Sequence, residues 1–290
     1  MDTTTEKAFA KLNLSLDVGA KRPDGYHEMT TVCQTVDFCD ELTLTLRRGG
    51  ESSVSVNLPY LPCDRRNIAL KAAALFFEHI GESAFSVHID ILKHIPVCAG
   101  LGGGSADAAA VLRALNSLTK SGLTPAALET LSEALGSDVP FCVRGGTALS
   151  TGRGEILTPL PPLKPCSITL CKPRFSVSTP TLFARLDKAR LRFRPDTEGL
   201  ITAIKAGDLP GCARRIFNIF EEILPSGRDQ VDIIKSVLLE YGALGAAMSG
   251  TGSAVFGVFE APDAAKAASD SLSHLYREVF LTAPQPRIEE

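Results

Sequence analysis

The chain has 290 residues, of which 44% are hydrophobic and 22% charged, and its formal net charge is −3. This composition is typical of a globular protein with one large or two ordinary domains. The near balance of 30 basic and 33 acidic residues excludes a broad basic surface for nucleic acid. No apolar run approaches the roughly 20 residues that cross a bilayer, and Met1–Lys7 is polar. We therefore expect a cytoplasmic protein with no nucleic-acid or membrane partner; the sequence leaves open whether it is a monomer or a homodimer.

The first predicted element is a strand over residues 8–18, where leucines alternate with polar side chains at the period of a half-buried strand. The alternation places Lys11 and Asn13 on the face opposite the leucines. Such a face usually contacts water, so this segment alone favours an exposed lysine. A Pro-Asp-Gly turn follows at 23–25, and the Tyr26-His27 pair after it either begins the next strand or takes part in recognition.

A glycine-rich segment lies between a predicted strand, residues 85–92, and a predicted helix that extends to about residue 118. It reads Pro96-Val97-Cys98-Ala99-Gly100-Leu101-Gly102-Gly103-Gly104-Ser105-Ala106. A helix start presents unpaired backbone N–H groups and the positive end of the helix dipole, and glycines let a ligand approach the backbone closely. The segment therefore predicts an anion site, usually for phosphate, although a plain turn with Ser105 as helix cap stays open.

Three common nucleotide-binding patterns do not fit this segment. No lysine follows the glycines, as the P-loop pattern requires. Ser105 stands where a dinucleotide-binding loop needs its last glycine. The HRD and DFG signatures of protein kinases are absent from the sequence as well. If the segment binds phosphate, it must belong to another class of site.

The middle of the chain holds a possible functional carboxylate and a possible domain junction. Asp138 stands in Gly136-Ser137-Asp138-Val139-Pro140-Phe141, between a predicted helix that begins at Thr124-Pro125 and a predicted short apolar strand. In isolation it fits an ordinary turn residue. Residues 157–165 contain four prolines. Because proline continues neither a helix nor the centre of a sheet, this segment predicts a junction between domains.

The C-terminal part alternates between predicted strands and helices. A strand at 167–172 is followed by helical stretches at 179–188, 197–206, 208–222 and 228–241, and a helix at 261–274 precedes a strand at 277–282. Paired strands at 243–248 and 254–259 are joined by Ser249-Gly250-Thr251-Gly252-Ser253, which fits a hairpin turn and a phosphate-binding turn equally well. The tail 283–290 is rich in proline and charge and is expected to be loose.

The eight cysteines are spread along the chain, and none of them forms a C-x-x-C pair. Reduced and mostly buried thiols are expected, and zinc binding is not. Cys98, inside the glycine-rich segment, is expected to be a small apolar filler.

Several segments together resemble the GHMP kinases, a family of small-molecule kinases. The segments are Ala8–Leu14, Arg22–His27, the glycine-rich segment, Gly136–Phe141 and Met248–Gly252. The likeness runs from about residue 8 to residue 282. Gly25-Tyr26-His27 and the Asp138 segment most resemble the members that act on a cytidine diphosphate-linked methylerythritol in non-mevalonate isoprenoid synthesis. The resemblance implies that ATP phosphorylates the 2-hydroxyl of this small-molecule substrate.

The resemblance also implies roles for individual residues. Lys11 and Asp138 would be catalytic: Asp138 takes the proton from the hydroxyl, while Lys11 keeps Asp138 ionised and favours the developing alkoxide. Residues 96–106 would hold the ATP phosphates, which Mg²⁺ bridges, with no metal ligand assigned to the chain. Substrate would be bound by the following residues: Asn13, Tyr26, His27, Phe183, Ser249, Gly250, Thr251 and Gly252. For Phe183, plain core packing is an equal alternative.

One position departs from the family pattern. Many members have Ser-Ser-Asn or Ser-Ser-Asp after the glycines, whereas this chain has Ser105-Ala106-Asp107. The missing hydroxyl puts any metal or phosphate role of the side chain at position 106 in question. Asp107 fits an acid that favours the first turn of a helix through its dipole.

The resemblance implies an α+β fold in two domains. Residues 1–160 would form an ATP-binding domain similar to domain 2 of ribosomal protein S5, and residues 161–290 a ferredoxin-like domain. One alternative is another GHMP kinase, acting on mevalonate, homoserine or a sugar, against which Gly25-Tyr26-His27 argues. The other is a nucleotide- or RNA-binding module without catalysis, against which the joint presence of Lys11 and Asp138 argues.

Overall fold

The computed structural model describes residues 2–288, which form a mixed α+β fold of strands and helices. The strands are β1 Asp2–Lys21, β2 His27–Arg48, β3 Ser53–Val56, β4 Phe85–Leu92, β5 Thr147–Thr151, β6 Ile156–Pro159, β7 Ser167–Lys172, β8 Phe217–Asn218, β9 Gly245–Met248, β10 Val255–Phe259 and β11 Glu278–Thr282. The helices are α1 Ile68–His79, α2 Gly103–Thr119, α3 Pro125–Ser132, α4 Val139–Arg144, α5 Thr179–Leu186, α6 Thr197–Ala206, α7 Leu209–Ala213, α8 Arg228–Glu240 and α9 Pro262–Ser273. A 3₁₀ turn covers Ile219–Ile223.

The first sheet has seven strands in the order β3-β4-β2-β1-β8, and β5 pairs with β2 and β6. Its centre is the long antiparallel pair of β1 and β2, in which Lys11 lies opposite Thr35 and Asn13 opposite Cys33. Helices α1, α2 and α4 cover one face of this sheet and share a core with it. The pairing places Lys11 and Asn13 in the middle of the sheet instead of at its edge.

The second sheet has four antiparallel strands in the order β11-β7-β10-β9. Its hairpin pairs Met248 with Val255, which confirms the paired strands expected around the turn at 249–253. Helices α8 and α9 pack on this sheet. A third group of buried residues joins the two sheets, because Leu12 and Val32 of the first sheet lie in one cluster with Phe256 of the second. The late turn is thereby brought next to the glycine-rich segment.

The structure corrects three expectations about elements. The apolar run Val139–Arg144 after Asp138 is a short helix and not a strand. The helical stretch expected over 208–222 is broken by β8, whose Phe217–Asn218 pairs in parallel with β1. The tail is not loose up to residue 288: Asp37 donates its backbone N–H to Ala283 O at 2.8 Å, and Gln285 donates to Thr35 O at 2.8 Å. Residues 289 and 290 lie outside the described residues.

The cysteines and the helices bear on two further expectations. All eight cysteines are free, and most are buried, as expected. Cys98 is an exception, since it is exposed and not a buried filler. Within residues 2–288, no helix combines the length and apolar character needed to cross a membrane.

Candidate active site

The glycine-rich segment forms the turn that begins α2. Gly102 immediately precedes the helix with a φ of +70°, and its backbone O accepts the N–H of Ala106 at 2.8 Å. Gly100 has a φ of +78°, and a Cβ there would lie 2.0 Å from the backbone O of Ser249, so only glycine fits. The positive end of the α2 dipole and the first N–H groups of the helix therefore lie at this turn, which suits an anion.

A cavity of about 410 Å³ lies against this turn. Its walls include residues 96–105, the start of α1, Lys93 and Asp107. This volume falls in the range of small-molecule sites. Ala106, which was predicted to contact ATP, does not line the cavity, because its side chain is buried in the core behind α2. Cys98 lies at the exposed rim.

Lys93 is held between two carboxylates next to the turn. Its Nζ donates to Asp40 Oδ2 at 2.5 Å and to Asp107 Oδ2 at 2.7 Å, and all three side chains are buried. Asp40 Oδ1 also accepts the backbone N–H groups of His94 and Ile95, whereas Asp107 Oδ1 has no hydrogen-bond partner among residues 2–288. Burial, together with the charge of Asp40, raises the pKa of Asp107 to about 7 despite the opposing effect of Lys93. One ammonium cannot neutralise two carboxylates, so the ionised form of Asp107 is disfavoured.

Lys11 and Asp138 meet beside the glycine-rich turn. The backbone N–H of Lys11 donates to Leu101 O at 2.9 Å, so β1 passes directly along the turn. Lys11 Nζ lies 3.2 Å from Asp138 Oδ2, and the lysine side chain is 5% exposed, against 45% for that of Asp138. The exposed lysine favoured by the segment alone is therefore wrong. Burial acts to lower the pKa of Lys11, but the charge of Asp138 and its hydrogen bond act in the opposite direction, and this pKa is raised above its ordinary value.

Asn13 connects the lysine to the surrounding strands. Its Oδ1 accepts from Lys11 Nζ at 2.8 Å, and its Nδ2 donates to Thr31 Oγ1 at 2.8 Å. Thr31 Oγ1 in turn donates to the backbone O of Ser15 at 2.6 Å. Because both ends of the Asn13 amide are engaged by protein groups, the geometry makes Asn13 a residue that orients the ammonium.

The turn between β9 and β10 packs directly on the glycine-rich turn. Ser249 Oγ accepts the backbone N–H of Asn13 at 3.3 Å and donates to Gly100 O at 3.0 Å. Asn218 Nδ2 donates to the backbone O of Met248 and of Gly250, at 2.7 Å each. Ser249 and Gly250 are therefore held next to the glycine-rich turn. Thr251, whose Oγ1 lies 3.1 Å from that of Thr179, and Gly252 complete this turn.

Aromatic side chains lie at the start of β2. The His27 ring is 4.9 Å from the Phe183 ring, and Phe183 makes an edge contact with Phe220 at 5.2 Å. His27 is buried, and its Nε2 lies 2.7 Å from Asp187 Oδ1. Tyr26 does not join this cluster: its exposed ring lies under the guanidinium of Arg153, at 5.1 Å. The structure brings His27 and Phe183 together and places Tyr26 at the rim.

The sequence analysis missed three contributions to this region: the Asp40–Lys93–Asp107 group, Asn218 and Asp187. Each depends on partners from distant parts of the chain, for example 53 residues between Asp40 and Lys93 and 160 between His27 and Asp187. The one local signal was Asp107, a carboxylate next to the run of small apolar residues that begins α2. Such a residue on a buried helix face needs a cationic partner.

Comparisons with known proteins agree with this geometry. The model of the GHMP kinases N terminal domain matches residues 67–146, and that of the GHMP kinases C terminal region matches residues 200–278. A 4-diphosphocytidyl-2-C-methyl-D-erythritol kinase of Alkaliphilus metalliredigens is 42% identical over 281 residues, which cover 97% of this chain and 96% of the relative. A crystal structure of 4-(cytidine 5'-diphospho)-2C-methyl-D-erythritol kinase has a TM-score of 0.78 at 33% identity, covering 97% of this chain and 100% of that one.

A second solved structure has a similar fold at a lower sequence identity. Homoserine kinase from Cytophaga hutchinsonii has a TM-score of 0.76 at 20% identity, covering 99% of this chain and 96% of that chain. This likeness shows the shared fold alone. The two family models, by contrast, span more than half of the chain, and the relative from Alkaliphilus matches it nearly end to end. The chain therefore belongs to the GHMP kinases and, within them, to the family of 4-diphosphocytidyl-2-C-methyl-D-erythritol kinases.

Proposed function

We propose that this small-molecule kinase transfers the γ-phosphoryl group of ATP to the 2-hydroxyl of 4-diphosphocytidyl-2-C-methyl-D-erythritol, a step of non-mevalonate isoprenoid synthesis. The observation that carries the proposal is the Lys11–Asp138 pair, 3.2 Å apart beside the glycine-rich turn. Phosphoryl transfer depends mainly on positioning and on stabilising charge, and this arrangement provides both next to an anion site. The names of the relatives supply the identity of the acceptor.

The two charged residues have separate tasks in this proposal. Asp138 accepts the proton of the substrate hydroxyl as the phosphoryl group is transferred, because an ordinary carboxylate is too weak a base to remove it beforehand. Lys11 keeps its proton at neutral pH, since its pKa is raised. Its charge stabilises the Asp138 carboxylate and the alkoxide character of the attacking oxygen. Asn13 Oδ1 holds the ammonium in this position.

The ATP phosphates bind in the cavity at the start of α2, where residues 96–105 present backbone N–H groups and little side-chain bulk. Within residues 2–288, no group of three His, Cys, Asp or Glu side chains is arranged to hold a metal ion. Mg²⁺ would be held by the phosphate oxygens, and the Ser105 hydroxyl, which lines the cavity, would be available to it as a ligand. When bound, it neutralises the charge between the phosphates.

The substrate extends from the reacting pair toward the start of β2. His27, Phe183 and Tyr26 bind its cytidine end, and the turn with Ser249, Gly250, Thr251 and Gly252 closes over its phosphates. The hydrogen bond from Ser249 to Gly100 O, at 3.0 Å, supports a turn that is fixed before the ligands bind. Asn13 contributes to substrate binding indirectly, by orienting Lys11.

Three coarser expectations belong to the same proposal. The boundary between the domains lies near residue 160, which agrees with β6 ending at Pro159 and β7 beginning at Ser167 on a different sheet. The enzyme works in the cytoplasm, where its ATP is made available. The enzyme is a monomer or a homodimer.

A coupled assay of ADP release tests the proposal on the purified chain. We expect turnover with the cytidine diphosphate-linked methylerythritol and none above background with mevalonate or homoserine, and mass spectrometry should show one added phosphate on the acceptor. Faster turnover with mevalonate or homoserine would make this chain another GHMP kinase. ATP binding without turnover on any of the three acceptors would favour a nucleotide-binding module.

A further inference from the structure

His27 lies on the same sheet face as the reacting residues. It begins β2 four residues before Thr31, the threonine bonded to Asn13. The register shift in this region is an extra residue in β1, between Val18 and Lys21, so β2 alternates regularly from His27 to Thr31. The four residues span about 13 Å. A nucleoside diphosphate whose far end lies at Lys11 can reach His27 over this distance.

The surroundings of His27 are suited to a flat heterocycle. Phe183 is tilted by 30° against the imidazole at 4.9 Å, and the edge contact with Phe220 fixes Phe183 from behind. Proteins recognise single bases by stacking them on aromatic rings and by hydrogen bonds to their edges. In this cluster, the histidine is the side chain that can hydrogen-bond the edge of a base.

The bond to Asp187 determines which imidazole nitrogen carries the proton. The hydrogen bond from His27 lowers the pKa of Asp187, so this carboxylate is ionised and can only accept. His27 Nε2, 2.7 Å from Asp187 Oδ1, must therefore be the protonated nitrogen. In the neutral ring, Nδ1 then carries the lone pair. Nδ1 has no hydrogen-bond partner within residues 2–288 and is not fully enclosed, so it is the ring nitrogen left for a ligand.

We propose that Asp187 is a positioning residue that makes the enzyme select cytidine over uridine, by fixing the His27 tautomer that offers an acceptor at Nδ1. Cytosine presents its N4 amino group as a donor to this nitrogen, whereas uracil presents O4, an acceptor. The uracil base would leave two lone pairs facing each other in a partly desolvated site. This inference rests on the proposed function for the identity of the substrate.

The expected preference is about 10- to 100-fold in favour of cytidine, which is the usual value of a well-aligned base contact. The test compares the wild type with Asp187→Asn, which preserves size but can donate through its amide and so no longer fixes the tautomer. Asp270→Asn is the matched control, because Asp270 is also an exposed carboxylate that accepts a side-chain hydrogen bond, here from Lys266 on α9. The ligands are CDP and UDP in calorimetry, and the cytidine and uridine forms of the diphosphate-linked methylerythritol in turnover.

We expect Asp187→Asn to reduce the cytidine-over-uridine ratio of kcat/KM at least tenfold, mainly by raising KM for the cytidine substrate. The kcat at saturation should change little, because Asp187 contacts His27 and not the reacting Lys11–Asp138 pair. Asp270→Asn should keep the wild-type ratio. The ¹⁵N resonances of the His27 ring should report a protonated Nε2 and an unprotonated Nδ1 in the wild type, and a loss of this assignment in Asp187→Asn.

The outcomes separate this inference from the proposed function. A wild type that turns over the cytidine substrate but binds CDP and UDP equally overturns the selection by Asp187 and leaves the kinase intact. An unchanged ratio in a folded Asp187→Asn protein also overturns it, as does an unprotonated Nε2 or a protonated Nδ1 in the wild type. A wild type that prefers CDP in calorimetry but phosphorylates neither nucleotide-linked acceptor would instead count against the proposed function.

Discussion

At the scale of single residues, the site depends on one buried cation and the carboxylate it faces. Lys11 stays charged because Asp138 offsets the cost of its burial, and the same contact holds Asp138 toward the reacting centre. The raised pKa of Lys11 lies above its ordinary 10.5. Deprotonation of this lysine therefore belongs to strongly alkaline solution, and we do not expect it to limit activity between pH 6 and about 9.

Replacing Asp138 by Asn tests the proposed proton acceptor. The amide keeps the size of the side chain and removes its basicity, so kcat should fall by about 100- to 10,000-fold, the usual contribution of a general base. ATP binding, measured by calorimetry, should be unchanged, because the residues that line the nucleotide cavity do not include Asp138. Asp270→Asn serves as the control for loss of a surface carboxylate. Undiminished turnover in Asp138→Asn would remove Asp138 from the mechanism.

The Asp40–Lys93–Asp107 group should make stability depend on pH. The pKa of Asp107 is raised from 3.8 to about 7 by folding, so the native state binds this proton more tightly than the unfolded chain does. Its contribution to the free energy of unfolding therefore falls as pH rises from about 4 to about 7 and is constant above that. The side chain in Asp107→Asn does not titrate. The free energy of unfolding of this variant, relative to that of the wild type, should therefore rise by about 1 to 4 kcal/mol between pH 4 and pH 8. Urea denaturation at both pH values measures this difference between variant and wild type. A difference that does not change with pH would mean that another group binds the proton.

Residues differ in how far the sequence could reveal them. Lys11, Asp138 and the glycines were found because each stands in a short segment with a recognisable order of residue types. Lys93 and Asn218 could not be found in this way. Their partners are brought to them by the pairing of strands and the packing of helices, so their roles exist only in the folded chain.

At the scale of elements, the run Val139–Arg144 shows where pattern reading fails. Six residues of mostly apolar character fit a buried strand and a short buried helix equally well. The structure selects the helix: Pro140 stands in its first turn, where its missing N–H costs nothing, and the N–H of Cys142 bonds to Asp138 O at 3.2 Å. This hydrogen bond also places Asp138 at the start of α4, beside Lys11.

The glycine-rich turn offers a prediction at the same scale. Gly100→Ala would put a Cβ 2.0 Å from the backbone O of Ser249, at a φ of +78° that alanine disfavours. We expect it to lower the free energy of unfolding by about 3 kcal/mol or more, because backbone must move. Gly104→Ala is the matched control: Gly104 lies within α2, where the nearest atom to a new Cβ is Ile68 Cγ2 at 3.7 Å. It should be neutral or stabilising by up to about 1 kcal/mol.

Urea denaturation of the two variants gives the comparison directly. Equal stabilities for Gly100→Ala and Gly104→Ala would mean that the two turns do not approach each other as closely as the structure places them. The KM for ATP should rise in Gly100→Ala, since the turn that we propose to hold the phosphates is displaced.

At the scale of the whole molecule, the two sheets share two of the three groups of buried residues, because Leu16 and Val18 of the first sheet also lie in one group with Phe259 of the second. Leu12, Leu14 and Val32 of the first sheet pack with Ile168 and Phe256 of the second. The tail strengthens this connection, because the N–H of Ile288 bonds to Arg144 O at 3.0 Å after the chain has left β11. The active site lies between these parts, so its geometry requires both to be folded.

The shared core predicts that the two sheets unfold together. Leu12→Ala removes a fully buried side chain at their junction and should lower the free energy of unfolding by about 2 to 5 kcal/mol. Hydrogen exchange should show that the free energy of opening falls by the same amount for amides of β4, in the first sheet, and of β10, in the second. Leu239→Ala, at an exposed position of α8, should leave the free energy of unfolding and the exchange in both sheets unchanged. If the variant accelerated exchange in one sheet alone, the sheets would be independent units, and the boundary near residue 160 would separate two domains that fold without each other.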